Sequence, residues 1–222
     1  MNMKFVKKML TVSLAAALVV MPMTAFATTD SSSDETTSTV TTSTSSNSSD
    51  SSDTYVAPEG VSFSSQATIG GKVVKSSVPG SYQLGTTVKA VVFTQSLDGL
   101  KAAAGMTGTE RPYARVYESN AKKSPLALET ANWTASVLGK TLLSDTGINI
   151  NLGKMTDGKF SSLTDSVKTP VTIALKGDAA GATSVIAVGP NGVVEFIDAT
   201  NDGAGNVTFE AIGGQHTYYF VK

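Results

Sequence analysis

The sequence predicts a mainly β protein, an antiparallel β-sandwich with one or two inserted α-helices; an α+β arrangement is the alternative. Two observations carry the prediction. From Pro170 to Lys222 the runs "PVTIALKG", "TSVIAVGPNG", "VVEFIDA", "NVTFEAIGG" and "HTYYFVK" are separated by turn residues at about ten-residue intervals, the rhythm of a sandwich or barrel. Earlier, "GVSFSSQATIGGKVVKSS" and "TTVKAVVFTQ" are rich in β-branched and aromatic residues and bounded by glycine or proline, as strands are.

The first 56 residues stand apart from this pattern. Residues 1–27 open with Lys4, Lys7 and Lys8, continue through an apolar run from Met9 to Val20 and finish in Ala25-Phe26-Ala27. That is the layout of a secretory signal peptide with a small-residue cleavage site, and the run is too short for a comfortable membrane span. Residues 28–56 form a Ser/Thr/Asp-rich spacer. Between Thr28 and Thr54 every residue except Val40 is polar, so the segment cannot bury enough apolar surface to offset the entropy of ordering.

The third part, residues 57–222, is long enough for one domain with its own core. With no cysteine anywhere in the chain, disulfides, thiolate metal sites and a lipidated N-terminal cysteine are all excluded. This suits a Gram-positive exoprotein, although no L-P-x-T-G signal precedes the C-terminus. Setting aside the three lysines and five acidic residues of 1–54 leaves 14 basic and 13 acidic side chains. A neutral domain of this kind is not built for nucleic acid or, once the signal is removed, for an anionic membrane.

Along the domain, Ser96 is placed to cap a short helix in "LDGLKAAAG", with Asp98 near its positive end and Gly105 as its stop. "RPYARVYES" reads as a strand. A longer helix is predicted over 125–143, since Ser124 is an N-cap, Pro125 suits a first turn, and Leu128, Ala131, Ala135, Leu138 and Leu142 share a face. Trp133 lies off that stripe and is expected at the core margin, with sugar stacking as its functional reading. "GININ" starts the next strand, and "MTDGKFSSLTDSVKT" reads as a short linker. "GPNG" is a tight turn, and the last strands are expected as consecutive hairpins.

The closing segment is similar to that of immunoglobulin-like β-sandwich modules of Gram-positive secreted and surface proteins. Pro170-Val171-Thr172-Ile173 matches their P-V-T-V strand, Gly205 with Val207-Thr208-Phe209 their G-x-V-T-F element, and Gln215-His216-Thr217-Tyr218 stands in place of F-S-T-Y. The resemblance implies a structural or adhesive extracellular module with no catalytic residues to carry over.

Chemical motifs are sparse. His216 is the only histidine and no G-x-S-x-G elbow accompanies it, so it reads as a strand residue with a solvated or hydrogen-bonded ring. Glu110, Glu118, Glu129, Glu195 and Glu210 lie on different elements, and a hydrolytic pair needs two of them across one cleft. In "IDATNDGAGNVTFE" a calcium loop would begin at Asp198 with Asp202 at position five. Position twelve is Phe209, however, and strands flank the segment, so a hairpin loop is the better reading. "GGKVVK" lacks phosphate-loop spacing, and no cofactor is called for. Tyr82, Tyr113, Tyr117, Tyr218 and Tyr219 show no regular strip with the basic residues. In the Tyr218-Tyr219 pair one ring is expected in the core and the other exposed as a binding contact.

Two function classes follow. One is a secreted, non-enzymatic module that spaces, adheres or binds a cell-surface or host glycan or protein, with Trp133, Tyr218 and Tyr219 as ligand-contact candidates. The other is a secreted carboxylate-type hydrolase; a carbohydrate-binding module is a variant of the first. The N-terminal organisation makes a direct prediction. Protein recovered from a secreting host begins at Thr28 on N-terminal sequencing, and limited proteolysis trims it to a resistant core starting near Ala57. A stable fragment that retains Thr28 after digestion contradicts the spacer assignment.

Overall fold

Turn chemistry sets where the strands start and stop. The computed structural model describes Ser62 and residues 64–222; the predicted signal peptide (1–27) and spacer (28–56) lie outside them. Strands β1 (Gln66–Ile69) and β2 (Lys72–Lys75) form a hairpin, followed by β3 (Gly80–Gln83), β4 (Val88–Phe93), α1 (Leu97–Ala103), β5 (Arg111–Ser119) and α2 (Pro125–Val137). Then come β6 (Gly147–Thr156), β7 (Lys159–Ser162), β8 (Lys168–Leu175), β9 (Ser184–Val188), β10 (Val194–Asp198), β11 (Thr200–Asn201), β12 (Asn206–Ile212) and β13 (Gly214–Val221).

The strands make two main sheets and the separate β1–β2 hairpin. The larger sheet has the order β10-β9-β13-β6-β5-β3, with β7 continuing alongside β6; the smaller has the order β11-β12-β8-β4. All pairings are antiparallel except β3 with β5. The fold is therefore a mainly antiparallel β-sandwich with two helices, as the sequence predicts.

Period-two alternation supplies its core. From the larger sheet Ile148, Ile150, Leu152, Val185, Ala187, Tyr218 and Phe220 point inward, and from the smaller sheet Val91, Phe93, Val171, Ile173, Val207 and Phe209 meet them in one buried cluster. Phe209 bridges the layers, its ring centroid 5.1 Å from that of Tyr218 and 6.5 Å from that of Phe220. The β1–β2 hairpin covers part of the smaller sheet's outer face, where Ala67, Ala90, Val92 and Ala174 form a separate cluster. Helix α2 covers part of the larger sheet's outer face, seating Leu128, Ala131 and Ala135 on Ile186, Val188, Tyr219 and Val221.

Helix α1 follows its prediction, with the Ser96 hydroxyl accepting the Gly99 amide at 3.1 Å. Other expectations need correction. α2 ends at Val137, not 143, because Gly139 takes φ +63° and the Gly139 and Lys140 amides bond back to the Ser136 and Ala135 carbonyls at 3.1 and 2.8 Å. That is a complete Schellman stop. It leaves Leu138 47 % exposed, and Leu142 instead bridges to Val221 as an isolated strand pair. The expected linker 155–169 contains the β6–β7 hairpin, turned by Asp157 and Gly158 with φ of 50° and 75°, the signature of a type I′ turn. Nor are the last strands a row of hairpins. Only β9–β10 and β11–β12 pair with a neighbour in sequence, while β8 and β12 belong to the smaller sheet and β9, β10 and β13 to the larger.

These contacts rank two leucines. Leu128→Ala, which opens a cavity under α2, is expected to cost about 2 to 5 kcal/mol in chemical denaturation, whereas Leu138→Ala past the helix end is expected to stay within about 0.5 kcal/mol. Equal losses would contradict the helix boundary.

Candidate binding face

The half of the larger sheet's outer face beyond α2 presents aromatic and polar groups. On β5, Ala114 and Val116 point into the core, which turns Tyr113, Arg115 and Tyr117 outward at alternate positions. The strand register extends each of these across the sheet. Gln83, Tyr117, Asn149 and Thr217 make one row; Ser81, Arg115, Asn151 and Gln215 make the next. With strands roughly 4.8 Å apart, four side chains span roughly 14 Å.

Phe160 of β7 organises one end of the face. A Cβ on Gly153 would lie 2.3 Å from the Phe160 ring, so only glycine lets the ring lie across the sheet there. The ring meets Tyr113 edge-on at 6.1 Å and carries the Arg115 guanidinium 4.0 Å from its centroid. This cation–π contact fixes the guanidinium over the ring. The Lys123 ammonium lies 5.7 Å from the Tyr117 ring centre. Asn149 is buried and donates to the Thr217 hydroxyl at 2.9 Å, while its Oδ1 has no hydrogen-bond partner among the described residues. None of the side chains in these rows is a carboxylate. Tyr113 and Tyr117 thus do alternate with Arg115, against expectation, whereas Tyr82, Tyr218 and Tyr219 are buried and join no such strip. The signal of the alternation was present in "RPYARVYES", as aromatic and basic residues at a spacing of two.

A cavity of about 480 Å³ adjoins the face, lined in part by Gln83, Glu118, Asn120 and Lys123. Its single carboxylate is already engaged, since Glu118 accepts the Thr86, Thr87 and Val88 amides at 3.1, 3.0 and 2.6 Å. A second cavity of about 420 Å³, beside the β1–β2 hairpin, contains no acidic residue. Elsewhere Glu110 is paired with Lys154, Glu195 is paired with Lys168, and Glu129 and Glu210 are exposed on α2 and β12.

The residues singled out from sequence lie apart from this face or beneath it. Trp133 is 58 % exposed, not at the core margin. With Leu126 and Val137 it forms an outward apolar stripe on α2 opposite the buried one. Tyr218 and Tyr219 are both fully buried, because α2 covers the side of β13 that would otherwise face solvent. The Tyr218 hydroxyl accepts the Ile212 amide at 2.8 Å, and burial pushes the Tyr219 phenol up to about 12.

Asp198 is exposed at the end of β10, and Asp202 sits in the β11–β12 hairpin loop. The Asp202 carboxylate accepts the Asn206 side-chain amide at 2.6 Å and the Ala204 and Asn206 backbone amides at 2.8 and 3.0 Å, which hold its pKa below the ordinary value. The loop's own donors thus engage both of its oxygens. Among the described residues no group of three or more His, Asp or Glu is placed to hold a metal ion.

The sequence predicts His216 as a strand residue with a solvated or hydrogen-bonded ring; it is a strand residue, but its ring is not solvated. It is 5 % exposed at one end of the sandwich, and its Nδ1 has no partner among the described residues. A Cβ on Gly189 would lie 2.8 Å from Nε2. Burial lowers the imidazole pKa, against the opposing pull of Asp165, Glu195 and the Gly213 backbone. A folded-state pKa below the unfolded value gives stability that is present above roughly pH 6.5 and is lost as pH falls through the folded value. Thermal midpoints of the wild type should therefore drop between pH 7.5 and pH 5, and His216→Gln should flatten that drop. An identical pH profile in the variant would contradict the role of the buried imidazole.

No known protein family, curated protein or solved structure matches the chain.

Proposed function

We propose that this is a secreted, non-enzymatic extracellular module that binds glycan through the outer face of its larger sheet. One observation carries the reading. Tyr113, Arg115 and Tyr117 stand at alternate positions of one strand, beside Phe160 and a ladder of amides, on the part of the sheet beyond α2. Aromatic rings offer flat apolar faces to the C–H surface of a sugar ring, and each side-chain amide offers both donors and an acceptor to its hydroxyls. A flat or convex strip suits a chain lying across it.

Further features support the wider reading. Lys4, Lys7 and Lys8, the apolar run and Ala25-Phe26-Ala27 favour export, and the polar spacer of residues 28–56 favours display away from a surface where cell or host glycans are met. The near-neutral domain agrees with a partner other than nucleic acid. Kinship with immunoglobulin-like modules gains support from the Tyr218 hydroxyl, tied to the Ile212 backbone six residues upstream where the chain passes from β12 in one sheet to β13 in the other. A tyrosine tied back in this manner marks the corner between sheets in such sandwiches.

Affinity electrophoresis of the full secreted chain through gels holding soluble polysaccharides, neutral and charged, tests the reading. At least one polysaccharide is expected to retard the protein. Tyr117→Ala should weaken that retardation by about tenfold, the loss of one stacking contact of roughly 1 to 1.5 kcal/mol, while Trp133→Ala leaves it unchanged. Free migration in every gel, or equal retardation of Tyr117→Ala and wild type, would overturn it.

A further inference from the structure

We infer that the glycan taken by this face is a carboxylated polysaccharide, a chain of uronate-type sugars, and that Arg115 is its specificity-determining residue. The inference rests on the glycan-binding reading and narrows it. Charge complementarity is its first ground. Arg115 and Lys123 are exposed around the tyrosines, and the side chains of the two central rows include no acid. Glu118, next to Tyr117 on β5, accepts the Thr86, Thr87 and Val88 amides in the adjoining cavity and belongs to neither row.

The state of Arg115 is the second ground. Its guanidinium lies 4.0 Å above the Phe160 ring, and the ion pairs among the described residues are Lys154 with Glu110 and Lys168 with Glu195, leaving Arg115 without an acidic partner. A guanidinium stacked on a ring has its N–H groups directed outward in plane, the geometry that grips a carboxylate by two parallel hydrogen bonds. The stacking also fixes the side chain in advance, so less rotamer freedom is lost on binding. Gly153 makes this arrangement possible, since a side chain there would displace the Phe160 ring.

The neighbours of Arg115 supply what the rest of a sugar acid requires. Asn151 and Gln215 continue its row, and Tyr117 and Asn149 lie in the next. Asn149 is only 3 % exposed and donates to the Thr217 hydroxyl beneath the face, so the amides with surface open to a sugar are Gln83, Asn151 and Gln215. A row of roughly 14 Å accommodates more than one sugar unit, which favours a polymer over a free monosaccharide.

The test uses the full chain in gels containing polygalacturonate, alginate, the methyl ester of polygalacturonate and a neutral β-glucan. Both polyuronates should retard the protein, and methyl esterification, which removes the charge and keeps the sugar, should weaken retardation at least tenfold. Arg115→Gln should lose about tenfold on the polyuronates and nothing on the ester, and Arg115→Lys should recover only part of that loss. Thermal melting verifies that both variants fold. Equal retardation by the acid and its ester, or polyuronate binding indifferent to Arg115→Gln, overturns the inference while leaving the glycan reading in place. Free migration in all four gels overturns both.

Discussion

From His216 to Val221 strand β13 is buried on both faces, and the rest of the domain is arranged around that constraint. It pairs with β6 on one side and β9 on the other, so its backbone groups are engaged within the sheet. Inward, Tyr218 and Phe220 enter the core against Phe209; outward, Tyr219 and Val221 lie beneath α2. Burying a large side chain is worth roughly 1.5 to 3 kcal/mol. In a chain without cysteine, no disulfide can add to this two-sided burial. The hydroxyl of Tyr219 has no hydrogen-bond partner among the described residues, a cost that the packing of its ring must exceed.

The length of α2 then decides what the other half of the sheet does. Because the helix stops at Val137, it covers β9 and part of β13 and leaves β5, the middle of β6 and β7 facing outward. An uncovered sheet face is ordinarily occupied by threonines and scattered charges. Here it holds two tyrosines, a phenylalanine carrying an arginine, and four side-chain amides. Stacking of Arg115 on Phe160 contributes on the order of 0.5 to 1 kcal/mol at an exposed site. That is small against the core, so the arrangement is better understood through what it presents than through what it stabilises. The outward stripe of Leu126, Trp133 and Val137 explains a second oddity of α2, which is apolar on two opposite sides and therefore weakly amphipathic.

Much of this was legible in particular residues. Ser96, Pro125 and the alternation of "RPYARVYES" placed α1, the start of α2 and β5, because caps, proline and period two act locally. The uninterrupted "SVIAV" and "TYYFV" also held a clue that was read too simply, since runs without alternation mark strands covered on both sides. Sequence reasoning assigned one of Tyr218 and Tyr219 to solvent because the pleat guarantees only that they point apart. The pleat does not say whether a helix lies over the outer side. The candidate face was only half legible. The spacing of Tyr113, Arg115 and Tyr117 is visible in one strand, whereas Phe160, Asn149 and Gln215 join them through pairings between residues dozens of positions apart.

By itself the sequence determined the elements: strands bounded by glycine and proline, one helix started by a serine cap and another by a first-turn proline, and a domain held without disulfides. Each follows from the chemistry of neighbouring residues. Only the tertiary structure decided which strands share a sheet, that β3 runs parallel to β5, and that α2 covers one half of an outer face and leaves the other to Arg115 and its neighbours. Those outcomes depend on how separate apolar surfaces find one another, and hydrophobic burial is non-directional, so no local pattern encodes the partner.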